Sequence, residues 1–268
     1  MSTVIRIDDA DDPRLVEIRD LNDPAARRRA DATHGCFIIE GLMALEIAAA
    51  STATIRHVIA DEARLDRVLA LVGDDTVVYE TPRATLRGAA GFAFQRGVLG
   101  VGDRPTLPDV EALVAAVAPA PIAVVEGVTD HENVGALFRN AAAFGIGAVI
   151  VDPTTADPLY RRSIRVSIGH VLTVPWTRSP IATTIAALRS AGYATVALTP
   201  GGDTDIGAMV RGVDRPVAWL LGAEGDGLDA ATMDAADRRV AIPMAAGVDS
   251  LNIATAAAVA FALAATET

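Results

Sequence analysis

The sequence predicts two α/β domains, the second built on a mostly parallel sheet with helices on both faces. Three observations lead there. Apolar runs of strand length recur along the chain, each followed by a stretch with helical spacing, and near-continuous apolar strands belong to parallel sheets covered on both sides. Four prolines, Pro105, Pro108, Pro119 and Pro121, interrupt this alternation once, around a short amphipathic stretch at 110–117. Finally, 268 residues that are 51% hydrophobic and 21% charged suffice for two cores and argue against disorder. The expected division is a domain at 1–105, a linker at 106–120 and a domain at 121–268.

The first domain opens with a short helix near 12–21. The apolar run 36–39 reads as a strand ended by Glu40-Gly41, and 42–50 as the helix after it. Strand 56–60, helix 63–72, strand 76–79, helix 81–87 and strand 98–101 continue the alternation. In the second domain the strands are 122–125, 148–151, 171–174, 195–198, 217–221 and 240–242, each a run dominated by Val, Ile, Leu, Ala or Thr. The helices between and after them are 134–144, 159–166, 181–191, 230–235 and 251–264. Asn133 stands where a cap belongs for the first of these, and Asp249 or Ser250 for the last.

Acidic residues outnumber basic ones 34 to 23, for a net charge of −11, which by itself disfavours a general electrostatic binder of nucleic acid. All 23 basic residues are arginine, a side chain whose planar fork suits phosphate but whose exclusive use is as well explained by coding bias. The single cysteine, Cys36, allows no intrachain disulfide and no thiolate metal site. His34, His57 and His170 are too scattered for a metal triad. The acidic N-terminus lacks a secretory pattern, and the longest uncharged run, 250–266, is too short to span a bilayer, so a cytoplasmic protein is expected.

Three segments carry chemistry, and each directly follows a predicted strand, where ligands sit in open α/β sheets. Asn133-Val-Gly-Ala-Leu-Phe-Arg139-Asn-Ala is N-x-G-x-x-x-R-x-A. Gly222-Ala-Glu-Gly-Asp-Gly-Leu228 is a turn whose glycines allow a close backbone approach to a flat ligand. Ile242-Pro-Met-Ala-Ala-Gly-Val-Asp-Ser-Leu-Asn252 closes a strand and opens a helix whose free N–H groups point outward. Taken singly, each fits an ordinary turn or cap.

Together and in this order, the three resemble the motifs of the SpoU (TrmH) family of RNA 2′-O-ribose methyltransferases. The resemblance covers roughly 122–264 and implies an S-adenosylmethionine-dependent enzyme with a trefoil-knotted cofactor site, assembled as a homodimer through the catalytic domain and needing no metal. It implies cofactor contacts from Gly222, Ala223, Glu224, Gly227, Leu228, Ile242, Met244, Ser250, Leu251 and Asn252. It implies catalytic places for Arg139, Asn133, Glu224, Ser250 and Asn252. Arginine stays protonated up to about pH 12, so the role expected of Arg139 is electrostatic: orienting a phosphate and stabilising a developing alkoxide. His131, beside this motif, is a less favoured alternative base. A basic stretch with Arg161, Arg162 and Arg165 matches the family's RNA-facing segment, and Arg27, Arg28 and Arg29 form a second candidate phosphate patch. The first domain, with Phe37-Ile-Ile-Glu-Gly41, is similar to the ribosomal-protein-L30e-like substrate domain upstream of many such enzymes, which favours 23S ribosomal RNA over transfer RNA. A silent RNA-binding relative on the same fold is the rival from another class. A Rossmann dehydrogenase is disfavoured, since the turn after 122–125 lacks G-x-G-x-x-G.

Overall fold

Apolar runs assemble into two separate sheets in the computed structural model, which describes residues 2–23, 33–92 and 95–265. The chain divides into two compact units, Met1–Pro105 with Leu159–Thr173, and Thr106–Pro158 with Val174–Thr268.

In the first unit the strands are β1 (Val4–Arg6), β2 (Cys36–Glu40), β3 (Ile55–Ala60), β4 (Val77–Glu80) and β5 (Val98–Asp103), in the order β1-β4-β3-β5-β2. β1, β4 and β3 are parallel, while β5 runs antiparallel to both β3 and β2. Helices α1 (Leu42–Ala49), α2 (Leu65–Leu69) and α3 (Arg83–Ala90) intervene, and a 3-10 turn at Pro13–Ile18 starts from an Asp12 cap. Leu15, Ile18, Ile38, Ile59, Leu86 and Leu99 meet in this unit's core. β1 escaped the sequence reading because three edge residues give no usable period.

The second unit is a seven-stranded sheet: β6 (Ile122–Glu126), β7 (Ala148–Val151), β8 (Trp176–Arg178), β9 (Ala194–Leu198), β10 (Thr204–Asp205), β11 (Val217–Gly222) and β12 (Arg238–Ala241). Their order is β10-β12-β9-β11-β6-β7-β8, and every pair is parallel. The helices, in chain order, are α4 (Val110–Val117), α5 (His131–Ala143), α6 (Arg161–Val166), α7 (Ile181–Ser190), α8 (Ile206–Arg211), α9 (Ala230–Ala235) and α10 (Ile253–Ala265). Of these, α6 lies in the segment that joins the first unit. Ile122 and Val124 enter a core with Leu113, Val114, Ile185 and Leu188. Ala123 and Val125 are equally buried and, by the alternation of a strand, point to the opposite face. Both faces of the sheet are therefore covered, as its apolar strands require.

Four departures from the sequence reading have physical causes. The expected strand 171–174 is largely a 3-10 turn at His170–Leu172, and the strand starts later because the amide of Val149 donates to the carbonyl of Pro175. β10 was missed because its two residues, Thr204 and Asp205, are polar, and α8 because six residues give too little helical period; the Asp205 side chain caps α8 through the amide of Ala208. The stretch 106–120 is no bare connector, since α4 places Val110, Leu113 and Val114 in the second core. Lastly, the helix expected at 159–166 belongs with the first unit, although its sequence neighbours on both sides belong to the second. Among the described residues, no helix is long and apolar enough to cross a membrane.

Candidate active site

The sheet order brings the motif loops together. β11 lies between β6 and β9, and β12 lies beside β9, so the loops that follow these four parallel strands emerge at one edge. This is where chain direction across the sheet switches and a crevice forms. A cavity of about 420 Å³ lies there, within the range of small-molecule sites. Each of the ten expected cofactor residues lines it. Leu198, Thr199 and Pro200 line it too, and the sequence reading missed them. The signal was present, because Thr199-Pro200 follows a strand just as the recognised loops do.

The turn after β11 depends on its glycines in two ways. A Cβ on Gly222 would lie 2.2 Å from the Gly227 carbonyl carbon and the Leu228 nitrogen, so the turn closes against its own first residue. Gly225 and Gly227 adopt φ of +89° and +73°, with open space where a side chain would be. Ala223 and Gly227 form a bridge that holds the turn shut.

Three side chains from three motifs then meet. Asn252 Nδ2 donates to Asn133 Oδ1 at 2.9 Å and to Glu224 Oε1 at 2.5 Å. Asn252 Oδ1 accepts from the amides of Ala254, at 3.0 Å, and Thr255, at 3.3 Å, and so caps α10. The cap expected at Asp249 or Ser250 thus falls on Asn252, and Ser250 is an exposed residue on the cavity wall. Asp130, not Asn133, caps α5, its carboxylate accepting from the amide of Glu132 at 2.8 Å. The helix therefore begins earlier than predicted, and Asn133 in its first turn is available to Asn252. Asn140, two turns on, donates to the carbonyl of Ala254 at 2.7 Å and ties the same two helices again.

The base of α5 is held by Asp152. Its carboxylate accepts from the amides of Gly127, Thr154 and Thr155 and from the hydroxyls of Thr154 and Thr155. Burial alone would raise its pKa, but these hydrogen bonds overcome that and hold it at about 2. Arg178 secures the same corner by donating to the carbonyls of Asp152 and Thr155, at 2.6 and 2.8 Å. Glu126, at the end of β6, is buried and accepts from Thr232 Oγ1 and the amide of Asp229, which fastens the start of α9.

Arg139 stands apart from the trio. Six residues beyond Asn133 on α5, it lies about 120° around the helix and about 9 Å along it. It is exposed, and its guanidinium makes no hydrogen bond or ion pair among the described residues.

The basic stretch divides. Arg162 is exposed, whereas Arg161 is 4% exposed and packed inside the first unit. Its guanidinium donates to Glu40 at 2.7 Å and to Asn22 at 3.1 Å, and lies 4.5 Å from the centre of the Phe92 ring. Arg165 and Arg96 also approach Glu40, both at 3.6 Å. The expectation that Arg161 contacts RNA is corrected: a buried guanidinium neutralised by Glu40 offers no face to a phosphate. Arg27, Arg28 and Arg29 lie outside the described residues. Among the described residues, no group of three His, Cys, Asp or Glu side chains could hold a metal.

The family model described as the SpoU rRNA Methylase family matches residues 120–262. The chain belongs to this family. A relative in Mycobacterium tuberculosis, the uncharacterised tRNA/rRNA methyltransferase Rv0881, is 40% identical over 259 residues, covering 94% of this chain and 88% of its own. The 23S rRNA (guanosine-2′-O-)-methyltransferase RlmB of Bordetella pertussis is 35% identical over 187 residues, 68% of this chain and 75% of that one. Among solved structures, the SpoU methyltransferase AviRb of Streptomyces viridochromogenes superposes with a TM-score of 0.78 at 26% identity, covering 95% and 96% of the two chains. An rRNA methyltransferase of Sinorhizobium meliloti, crystallised with AdoMet, shares the fold with a TM-score of 0.82 at 23% identity, covering 98% of each. The SpoU match begins at residue 120, within the last turns before β6, and spans all three motif loops.

Proposed function

We propose that this chain is an S-adenosylmethionine-dependent RNA 2′-O-ribose methyltransferase whose substrate is 23S ribosomal RNA. The observation that carries this reading is the trio Asn133–Asn252–Glu224, which joins one residue from each motif at a cavity of suitable size. The residues fit the cofactor. The wall is largely apolar, with Leu198, Ile242, Met244, Leu251 and Ile253, and the glycine turn lets backbone approach a flat ring. When bound, S-adenosylmethionine supplies a methyl group on a positively charged sulfur.

The chain's own residues supply the rest. The glycine turn and the 242–252 loop hold and orient the cofactor, so that transfer gains from alignment. Arg139, whose guanidinium has no partner among the described residues, offers its bidentate fork to the ribose-adjacent phosphate and stabilises charge developing on the 2′-oxygen. Ser250 orients the acceptor, Asn252 holds Asn133 and Glu224 in place through its amide, and Glu224 organises the site from the opposite loop. The trefoil threading of these loops belongs to the same reading.

The preference for ribosomal over transfer RNA rests on the names of the RlmB relatives and on the first domain. The homodimer is supported by α10, whose sequence from Ile253 to Ala265 is apolar or Thr on every face, and by the exposed Val248 and Leu251 just before it. A cytoplasmic location follows from a ribosomal substrate.

The test is direct. Purified protein, S-adenosylmethionine and separately 23S rRNA or tRNA are incubated, and digested nucleosides are resolved by mass spectrometry. A 2′-O-methylnucleoside from 23S rRNA is expected. Methylation on a base, or on tRNA alone, would overturn the reaction or the substrate respectively.

A further inference from the structure

We propose that Glu224 makes this site prefer the cationic cofactor over its neutral demethylated product, by facing the sulfonium with one free carboxylate oxygen. The inference rests on the reading of the cavity as the S-adenosylmethionine site and deepens it. Among the described residues, Glu224 is the only charged side chain on the cavity wall. Its Oε1 is taken by Asn252, while Oε2 has no partner among the described residues.

Asn252 fixes that carboxylate firmly. Its amide oxygen accepts from two backbone amides, and its amide nitrogen spends both hydrogens on Asn133 and Glu224. With all four positions used, the amide can neither flip nor swivel without loss. The Oε1 atom is thereby pinned, and Oε2 is left as the open acceptor of a residue that lines the cavity.

Methyl transfer forms a C–O bond to the ribose 2′-oxygen, whose proton leaves to solvent, while the S–C bond breaks, its electron pair stays on sulfur and the sulfur's charge is lost. Adenosyl, ammonium and carboxylate groups are the same before and after. The two forms differ only in that methyl group and the charge it gives sulfur, and an anchored carboxylate beside an apolar wall is the group able to respond to the charge. The consequence is a site that fills with substrate and empties of product.

Calorimetry on the wild-type protein and on Glu224→Gln tests this, with S-adenosylmethionine and S-adenosylhomocysteine as ligands. Glutamine keeps the length and can still accept from Asn252, so the trio survives. The variant should lose roughly tenfold in affinity for S-adenosylmethionine and less than twofold for S-adenosylhomocysteine. Equal weakening of both ligands would assign the carboxylate to the shared ammonium and overturn the proposal, as would an unchanged ratio. If the variant does not fold, the wild type decides: added salt should weaken S-adenosylmethionine while sparing the product, and equal salt sensitivity overturns the idea. A wild type that binds neither ligand would instead sink the reading of the cavity and this inference with it.

Discussion

Arg139 and Arg161 are the same residue type in segments that both suggested phosphate contact, and the fold treats them in opposite ways. Arg139 is exposed on α5 with no partner for its guanidinium among the described residues. Arg161 is buried, neutralised by Glu40, hydrogen-bonded to Asn22 and stacked on Phe92. A charge answered within the fold holds structure, and a charge left open is available to a ligand. The local spacing of arginines does not distinguish the two, because the answering carboxylate is 121 residues away in the chain.

The sharpest way to break this contrast is Arg161→Ala. Removing one partner leaves Glu40 buried without its closest cation, and such losses run to about 3–5 kcal/mol. Thermal unfolding should show a large fall in midpoint; a midpoint near wild type would mean that Arg165 and Arg96 suffice for Glu40 and that Arg161 is dispensable.

Arg139→Ala should lower methyl transfer by about 10²–10³-fold, the scale for losing one charge-stabilising donor. Its unfolding midpoint and S-adenosylmethionine affinity should match wild type. Arg139→Lys should remain impaired, since an ammonium lacks the two-pronged geometry. Equal turnover in all three proteins would remove Arg139 from the site.

Gly222→Val sharpens the contrast between scaffold and site within one loop. A side chain there meets backbone at 2.2 Å, so soluble yield should collapse. Gly227→Val has room for its side chain but must hold φ at +73°, so it should fold with a milder loss, about 1–2 kcal/mol by strain. Equal behaviour of the two in a melting assay would contradict the close approach at Gly222.

A smaller effect concerns acid. Asp152 has its folded pKa depressed from 3.8 to about 2, so its contribution is fully present above the unfolded value and is lost as pH falls through about 2. Asp152→Asn should therefore be less stable than wild type at neutral pH, with the gap closing between about pH 4 and 2. A gap independent of pH would deny the hydrogen-bonded carboxylate its role. The least effect on stability belongs to Arg162→Ala, within about 0.5 kcal/mol, with weaker RNA binding as its only signature.

Much of the catalytic unit was legible because parallel strands buried on both faces leave unbroken apolar runs, and the loops after them carry the glycines and polar residues. Ile122–Glu126 and Val217–Gly222 were read almost to the residue for that reason. The cavity was legible through its motifs, whereas the role of Asn252 as cap and hub was not. That role depends on Asn133 and Glu224 arriving from 119 and 28 residues away. Trp176–Arg178 was obscured by a more apolar neighbour that the chain uses for a turn. The burial of Arg161 had no local signature at all.

The segment Leu159–Thr173 also bears on how the protein is made. During synthesis Glu40 is added to the chain long before its partner exists, with 121 residues between them. At 5–20 residues per second, roughly 6–24 s pass before Arg161 is polymerised. For most of that interval the nascent first unit has only Arg96, 3.6 Å from Glu40 in the finished fold, to answer the carboxylate at the end of β2. Its folding is therefore completed only after β6, α5 and β7 have already been translated, and a chain stalled anywhere between Pro105 and Leu159 would present an unfinished unit to the cell's chaperones.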